Sequence, residues 1–227
     1  MSTIRENLER VKTRMAAAAQ RSARPIEQIK LLAVSKTIAA ERILEAYEAG
    51  QRHFAENRVQ ELCAKTTVLP ENINWHLIGH LQQNKVRAAL QSNAIIHSVD
   101  SMKLLQRIKR IAEELQSKAT VLLEVNISGE DSKFGLEPEQ VEPLLEICQE
   151  ETVKCLGLMT IAPYQAEEKE LHRIFAALRE LRDQLQQNCG LSLPELSMGM
   201  SGDFEAAIAE GATMLRIGSA IFGERTQ

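Results

Sequence analysis

Short apolar segments alternate with amphipathic helical ones eight times along this chain, and that alternation restricts the fold more than any other feature. The strand-like segments are Lys30–Ser35, His53–Glu56, Trp75–Ile78, Ile95–Val99, Thr120–Val125, Cys155–Thr160, Leu196–Met200 and Met214–Ile217. Helical patterns follow them at Ala39–Ala49, Arg58–Val68, Gln82–Leu90, from an Asp100 or Ser101 cap to Ser117, at Pro138–Glu151, Glu167–Asn188 and Phe204–Glu210, with a last turn through Ala220 and Phe222. No Asn-Gly or Asp-Gly signal separates two strands as a hairpin would require. Strict alternation predicts a parallel sheet covered by helices, and eight units closing on themselves make a (β/α)8 barrel. An open doubly wound sheet is the competing reading. It usually carries a Gly-rich turn after its first strand, where this chain has Ser35-Lys36-Thr37.

Residues 3–20 add a helix before the first strand, with Ile4, Leu8, Val11 and Met15 on one face. No linker or shift in composition divides residues 1–227. The expected fold class is therefore α/β: a single-domain TIM barrel with an extra N-terminal helix.

Charge and composition remove several function classes. The net charge is −4, the signs are mixed, and aromatic residues make up 4% of the chain. A protein that tracks nucleic acid needs a basic stripe and stacking platforms, so that partner is not expected. No apolar run reaches bilayer length, and the N-terminus lacks the continuous apolar stretch of a secretory signal. A cytoplasmic protein without a membrane partner is expected. Cys63, Cys148, Cys155 and Cys189 form no Cys-x-x-Cys pair, which reads as reduced packing residues without a metal. No large exposed apolar stripe is evident, so a monomer is expected.

The first strand, Leu31-Leu32-Ala33-Val34-Ser35, runs into Lys36. Such a lysine either reaches solvent, pairs with a carboxylate, or is desolvated so that its amine can attack an aldehyde. In a (β/α)8 barrel the C-terminal strand ends carry the chemistry, and the other ends bear on the choice. In the eighth strand, if Leu215 and Ile217 face the outer helices, Met214, Arg216 and Gly218 face the axis. Barrel closure then places Arg216 near Lys36. A permanently charged arginine there needs a partner, either a barrel carboxylate such as Glu124 or a ligand.

Gly218 and Ser219 open a turn after strand eight, and Ser201, Gly202 and Asp203 open a helix after strand seven. Loops in these two places form the recurrent phosphate site of such barrels, although Ser201 and Asp203 could also be ordinary helix caps. A lysine, a phosphate cradle and an inward arginine at one mouth fit pyridoxal 5′-phosphate, which has an aldehyde, a phosphate and a ring nitrogen. Arginine does not give up its proton, so it would donate to an unprotonated ring nitrogen and limit carbanion chemistry. Asn57, His80 and Asn126 are further polar strand-end candidates. Asn57 could touch the ring hydroxyl, and His80 reads more readily as a loop histidine. Met198 could pack on a ring face or be plain core. The stretch 128–135 reads as a mobile cover or a solvated connection.

The ordered segments LLAVSKT, FAENRVQE, WHLIGHLQQNK, VNISGEDSKFG, GLMTIAP, LSMGMSGDFEAAI and TMLRIGSAIFG resemble the pyridoxal phosphate homeostasis proteins over roughly Leu31 to Gly223. The resemblance implies a barrel of the alanine racemase N-terminal type. It implies Lys36 as the aldimine lysine, Ser201, Gly202, Gly218 and Ser219 around the phosphate, Arg216 at the pyridine nitrogen, and Asn57 and Met198 near the ring. It also implies a protein without established turnover that stores the cofactor or hands it to apo-enzymes and balances vitamin B6 and amino-acid pools. Ala55 stands where glycine is usual, Arg58 where an aromatic is frequent, and Ser219 where threonine is common.

An amino-acid racemase of related fold needs a second acid opposite the lysine, brought by a second domain. The sequence ends about ten residues after strand eight, so no such domain is expected. Without a placed second acid, proton transfer loses roughly 10²–10⁴-fold. A slow racemase using Tyr164 or His80 is the alternative reading, and an aldolase or phosphatase acting on a sugar phosphate is a third.

Overall fold

The computed structural model describes residues 3–130, 134–148 and 151–223. Eight strands close into a parallel barrel in sequence order: β1 Lys30–Val34, β2 His53–Glu56, β3 Asn74–Leu77, β4 Ile95–Val99, β5 Ala119–Glu124, β6 Val153–Met159, β7 Glu195–Ser197 and β8 Met214–Ile217. The helices are α1 Ile4–Arg21, α2 Ala40–Glu48, α3 Val59–Thr66, α4 Val86–Gln91, α5 Met102–Glu114, α6 Val141–Ile147, α7 Glu168–Cys189, α8 Phe204–Ala209 and α9 Ser219–Phe222. The expected (β/α)8 barrel and its leading helix are both present, and the open-sheet reading is overturned by closure. β8 pairs with β1 in the register Leu32↔Arg216 and Ala33↔Ile217.

The alternation along each strand sorts side chains into two compartments. Leu31, Ala33, Leu215 and Ile217 join the large cluster between barrel and helices. Leu32, Ala55, Leu122, Met159 and Met214 pack together inside the barrel. That inner layer fills only part of the axis, and buried polar groups occupy the rest.

α1 forms because Thr3 and Glu6 cap each other's backbone N–H groups, which satisfies two donors that a helix start otherwise leaves open. Its apolar face, Ile4, Leu8, Val11 and Met15, is buried as expected. Asn7 interrupts that face and donates to the Ile221 carbonyl at 2.8 Å, which seats α1 on the helix after β8. Among the described residues no helix is long and apolar enough to cross a membrane.

Several boundaries differ from expectation. β7 stops at Ser197 rather than Met200 because Gly199 turns the chain with φ +92°, where a Cβ would stand 2.6 Å from the Ala207 side chain. The segment expected as one helix over Gln82–Leu90 is a 3-10 turn, Gln83–Lys85, followed by α4. The helix expected over Pro138–Glu151 is likewise a 3-10 turn, Pro138–Gln140, and then α6, while residues 149–150 lie outside the described residues. Of the loop read as a cover, residues 131–133 also lie outside them.

Candidate functional site

At the C-terminal mouth a cavity of about 740 Å³ is lined by Lys36, Asn57, Ser201, Gly202, Arg216, Gly218 and Ser219, together with Val34, Ile78, Met200 and Asp203. Seven of the eight site residues read from the sequence thus meet in one place. The exception is Met198. It follows an inward Ser197, so it points outward, and it is fully buried in the outer core. Met200, two residues on and past the Gly199 turn, takes the place at the cavity wall.

Lys36 sits one residue beyond Ser35 in the turn after β1 and is partly buried. Thr37 behind it adopts φ +64°, a left-handed conformation that is costly for a β-branched residue. Glu61 on α3 offsets that cost by accepting the Thr37 N–H at 2.8 Å. Below the turn, the fully buried Glu56 accepts from the Ser35 hydroxyl at 2.6 Å and from Lys65 at 2.8 Å, and Lys65 also donates to the Ser35 carbonyl. Burial pushes the Glu56 carboxyl up, against the pull of Lys65 and Ser35. This cluster joins the ends of β1 and β2 to α3 and so fixes the segments that carry Lys36 and Asn57.

Asn57 has a buried Oδ1 without a hydrogen-bond partner. A buried acceptor left unpaired costs roughly 1–3 kcal/mol. The residue also lines the cavity wall. A Cβ on Gly202 would meet nothing within 4 Å, so that turn borders open space. The Asp203 carboxylate turns back to the Met200 N–H at 2.5 Å, and neither Ser201 nor Asp203 caps α8 with its side chain. The capping alternative for those residues is therefore not what the structure shows.

Arg216 points inward as the strand alternation requires. Nη1 donates to the Ser197 carbonyl at 2.6 Å and the Ser197 hydroxyl at 2.8 Å, and Nη2 to the Thr160 carbonyl at 2.9 Å. A guanidinium has further N–H groups beyond these three. Glu124 interacts with Arg216 through its charge and is not among these partners. Burial pulls Arg216 down to about 10 while Asp203 and Glu124 push it back up, so it stays charged at neutral pH. Burial, reinforced by Asp100 and opposed by Arg216, raises the Glu124 carboxyl to about 7.

The remaining candidates fall elsewhere. His80 bonds Asp100 at 2.8 Å, stacks on Phe134 with ring centroids 4.3 Å apart, and lines a neighbouring depression with Arg58 and Lys85. Asn126 holds its own loop by donating to the Glu130 carbonyl and accepting from Ser128. Tyr164 stands on the cavity rim, 90% exposed. Sequence reasoning missed the buried His76 and His97. They occupy the third position of β3 and of β4. Polar residues recurring at one position of adjacent strands were the available signal.

The fold and the mouth together define a (β/α)8 barrel that offers an amine, an inward guanidinium and two serine-glycine turns to one ligand. The family model described as "Alanine racemase, N-terminal domain" matches residues 2–226. Pyridoxal phosphate homeostasis proteins of Aquifex aeolicus and Pseudomonas aeruginosa are 46% and 45% identical, over 97% and 99% of this chain and 97% of each relative. The chain belongs to the pyridoxal phosphate homeostasis protein family. The solved structure of PipY from Synechococcus elongatus PCC7942 with PLP bound is 43% identical, with TM-score 0.84 over 97% of this chain and all of that one. An alanine racemase of Clostridium difficile 630 is 17% identical with TM-score 0.72 and shares the barrel fold. The match covers 95% of this chain and 57% of that one.

Proposed function

We propose that this chain holds pyridoxal 5′-phosphate covalently at the Lys36 amine and acts in vitamin B6 and amino-acid homeostasis as a carrier rather than by turnover. The observation that carries the reading is the meeting of Lys36, Asn57 and Arg216 with the Ser201–Gly202 and Gly218–Ser219 turns in one cavity. The group supplies an aldehyde, a phosphate and a ring nitrogen, and each finds a counterpart among these residues.

Lys36 supplies the nucleophile on a turn braced by Glu61 and by the Ser35–Glu56–Lys65 cluster. Ser201 and Ser219 donate hydroxyl hydrogen bonds to the phosphate. Gly202 and Gly218 let backbone N–H groups approach it, and first-turn N–H groups of a helix lack an intrahelical acceptor. Arg216 donates to the ring nitrogen and holds it unprotonated. Asn57 meets the ring hydroxyl. Val34, Ile78 and Met200 exclude water from the ring faces.

The cavity reaches solvent past the exposed Tyr164 on its rim, which suits transfer to apo-enzymes. Two observations weigh against the racemase alternative: Tyr164 on the rim is displayed to solvent, and His80 is committed to Asp100 and Phe134. Mass spectrometry after borohydride reduction of the loaded protein tests the reading. One pyridoxyl group on the Lys36 peptide is expected; its absence, or its placement on another lysine, overturns the assignment.

A further inference from the structure

A series of hydrogen bonds runs through the barrel axis from Arg216 to the opposite mouth. Arg216 donates to the Ser197 hydroxyl at 2.8 Å. Ser197 Oγ lies 2.9 Å from His97 Nδ1, His97 Nε2 lies 2.9 Å from His76 Nδ1, and His76 Nε2 lies 3.1 Å from His53 Nδ1. Ser197, His97 and His76 are fully buried. His53, the first residue of β2, is partly buried and neighbours the Lys30–Glu195 ion pair at the N-terminal ends of β1 and β7.

The arginine only donates, so Ser197 Oγ accepts from it. The other partner of that buried hydroxyl is His97 Nδ1, which takes its proton and so sets the direction of the series. His97 then carries its proton on Nε2 and donates to His76. His76 does the same toward His53, which is the terminal acceptor. Every buried nitrogen and oxygen in the series is satisfied in this arrangement. Hydrogen bonds in line polarise one another, and each link strengthens the next.

We propose that His97, His76 and His53 are positioning residues for Arg216, acting through the Ser197 hydroxyl, with His53 at the far mouth as the titratable end of the series. For the ring nitrogen as Arg216's target, this rests on the proposed cofactor site. The two inner rings are held neutral: burial, then His53 and Lys30, pull His76 down to about 3, and burial, then His76 and Arg216, pull His97 well below an ordinary imidazole. The charged groups facing His53 are Lys30 of β1 and Glu195 of β7, and the facing ring is His76 of β3. Burial and Lys30 lower its pKa, against Glu195. When His53 takes a proton from water at Nδ1, its N–H meets the His76 N–H. The last acceptor is lost, and the hold on Ser197 and Arg216 loosens without any change at the mouth itself.

The test is nitrogen-15 NMR of the side chains in the cofactor-free protein, with absorbance of the loaded protein as a second readout. At pH 8 all three histidines are expected as Nε2–H tautomers. As His53 titrates, the His97 and Arg216 side-chain resonances are expected to shift with the same midpoint. An Nδ1–H tautomer at His97 or His76, or Arg216 resonances indifferent to His53, overturns the proposal whether or not the cofactor binds Lys36. In loaded protein, His53→Gln keeps a terminal acceptor that does not titrate. It is expected to preserve the pH 8 bands and lose the component that follows the His53 midpoint. His53→Leu, which has no acceptor, is expected to show at pH 8 the bands that wild type shows in acid. Equal spectra and pH profiles in both variants and wild type would reduce the series to packing. The wild-type NMR titration decides the matter if either variant fails to fold.

Discussion

Gly79 presses against Asn57 so closely that a Cβ at position 79 would lie 2.3 Å from the Asn57 carbonyl oxygen and 2.8 Å from its Cα. Only a residue without a side chain lets the end of β3 lie beside the residue that closes the cavity after β2. Gly79→Ala must therefore push the Asn57 backbone aside. Overpacking of this kind costs roughly 1–3 kcal/mol, and it moves Asn57 from its place on the cavity wall. Denaturant unfolding is expected to show the loss of stability, and a cofactor titration a weaker complex. Unchanged values in both would mean that the contact relaxes without consequence.

The two serine-glycine turns make a prediction about release. A hydrogen bond to a charged group contributes roughly 1.5–3 kcal/mol. Ser201→Ala combined with Ser219→Ala is expected to speed release of pyridoxal phosphate at least tenfold, while the covalent band at Lys36 still forms. An unaltered release rate would remove these hydroxyls from the phosphate site.

Arg216→Glu exchanges a fixed donor for a group that favours a proton on the ring nitrogen. The bound cofactor's absorbance is expected to shift to longer wavelength or to redistribute between bands. The Ser197 and Thr160 carbonyls lose their donor in the same variant, so a lower thermal midpoint is expected as well. A wild-type spectrum would show that Arg216 does not face the ring.

Two buried groups give stability opposite dependences on pH. His76 titrates at about 3 in the folded chain against 6.5 for an unperturbed imidazole. Between those values the unfolded chain binds the extra proton. Its contribution is full above pH 6.5 and is lost as pH falls toward 3, at about 1.4 kcal/mol per pH unit. Glu124 titrates at about 7 against 4.5, so the folded chain holds the extra proton in that window. Its contribution is present below pH 4.5 and is lost as pH rises to 7. Unfolding free energies measured from pH 4 to pH 8 separate the two. The deficit of His76→Gln relative to wild type is expected to shrink toward acid, and Glu124→Gln is expected to gain on wild type toward neutrality. Parallel curves for wild type and variants would contradict these assignments.

Much of the architecture was legible in the sequence because its cause is local. Period-two and helical patterns placed the eight strands within a few residues, and the inward direction of Arg216 followed from Leu215 and Ile217 facing the helices. The misplacements also have local causes that depend on a neighbour. β7 ends early because Gly199 makes room for Ala207, and Met198 faces the outer core because Ser197 keeps the inward direction up to that turn. The motif Trp75-His76-Leu77 did not reveal that its histidine meets a ring from the next strand, since that contact depends on the register in which β3 and β4 pair.

The order of apolar and polar residues alone determined alternating parallel strands and helices with an amine at the end of the first strand, because side-chain direction and helix or strand period are properties of short stretches; closure of β8 on β1 came from the structure. Tertiary structure alone decided which groups share the axis. It brought His97 to Ser197 across a hundred positions of sequence, left the Asn57 oxygen buried without a partner, and gave the cavity wall to Met200 rather than Met198. Those outcomes depend on burial and distance between segments far apart in the chain, and only the folded barrel sets either one.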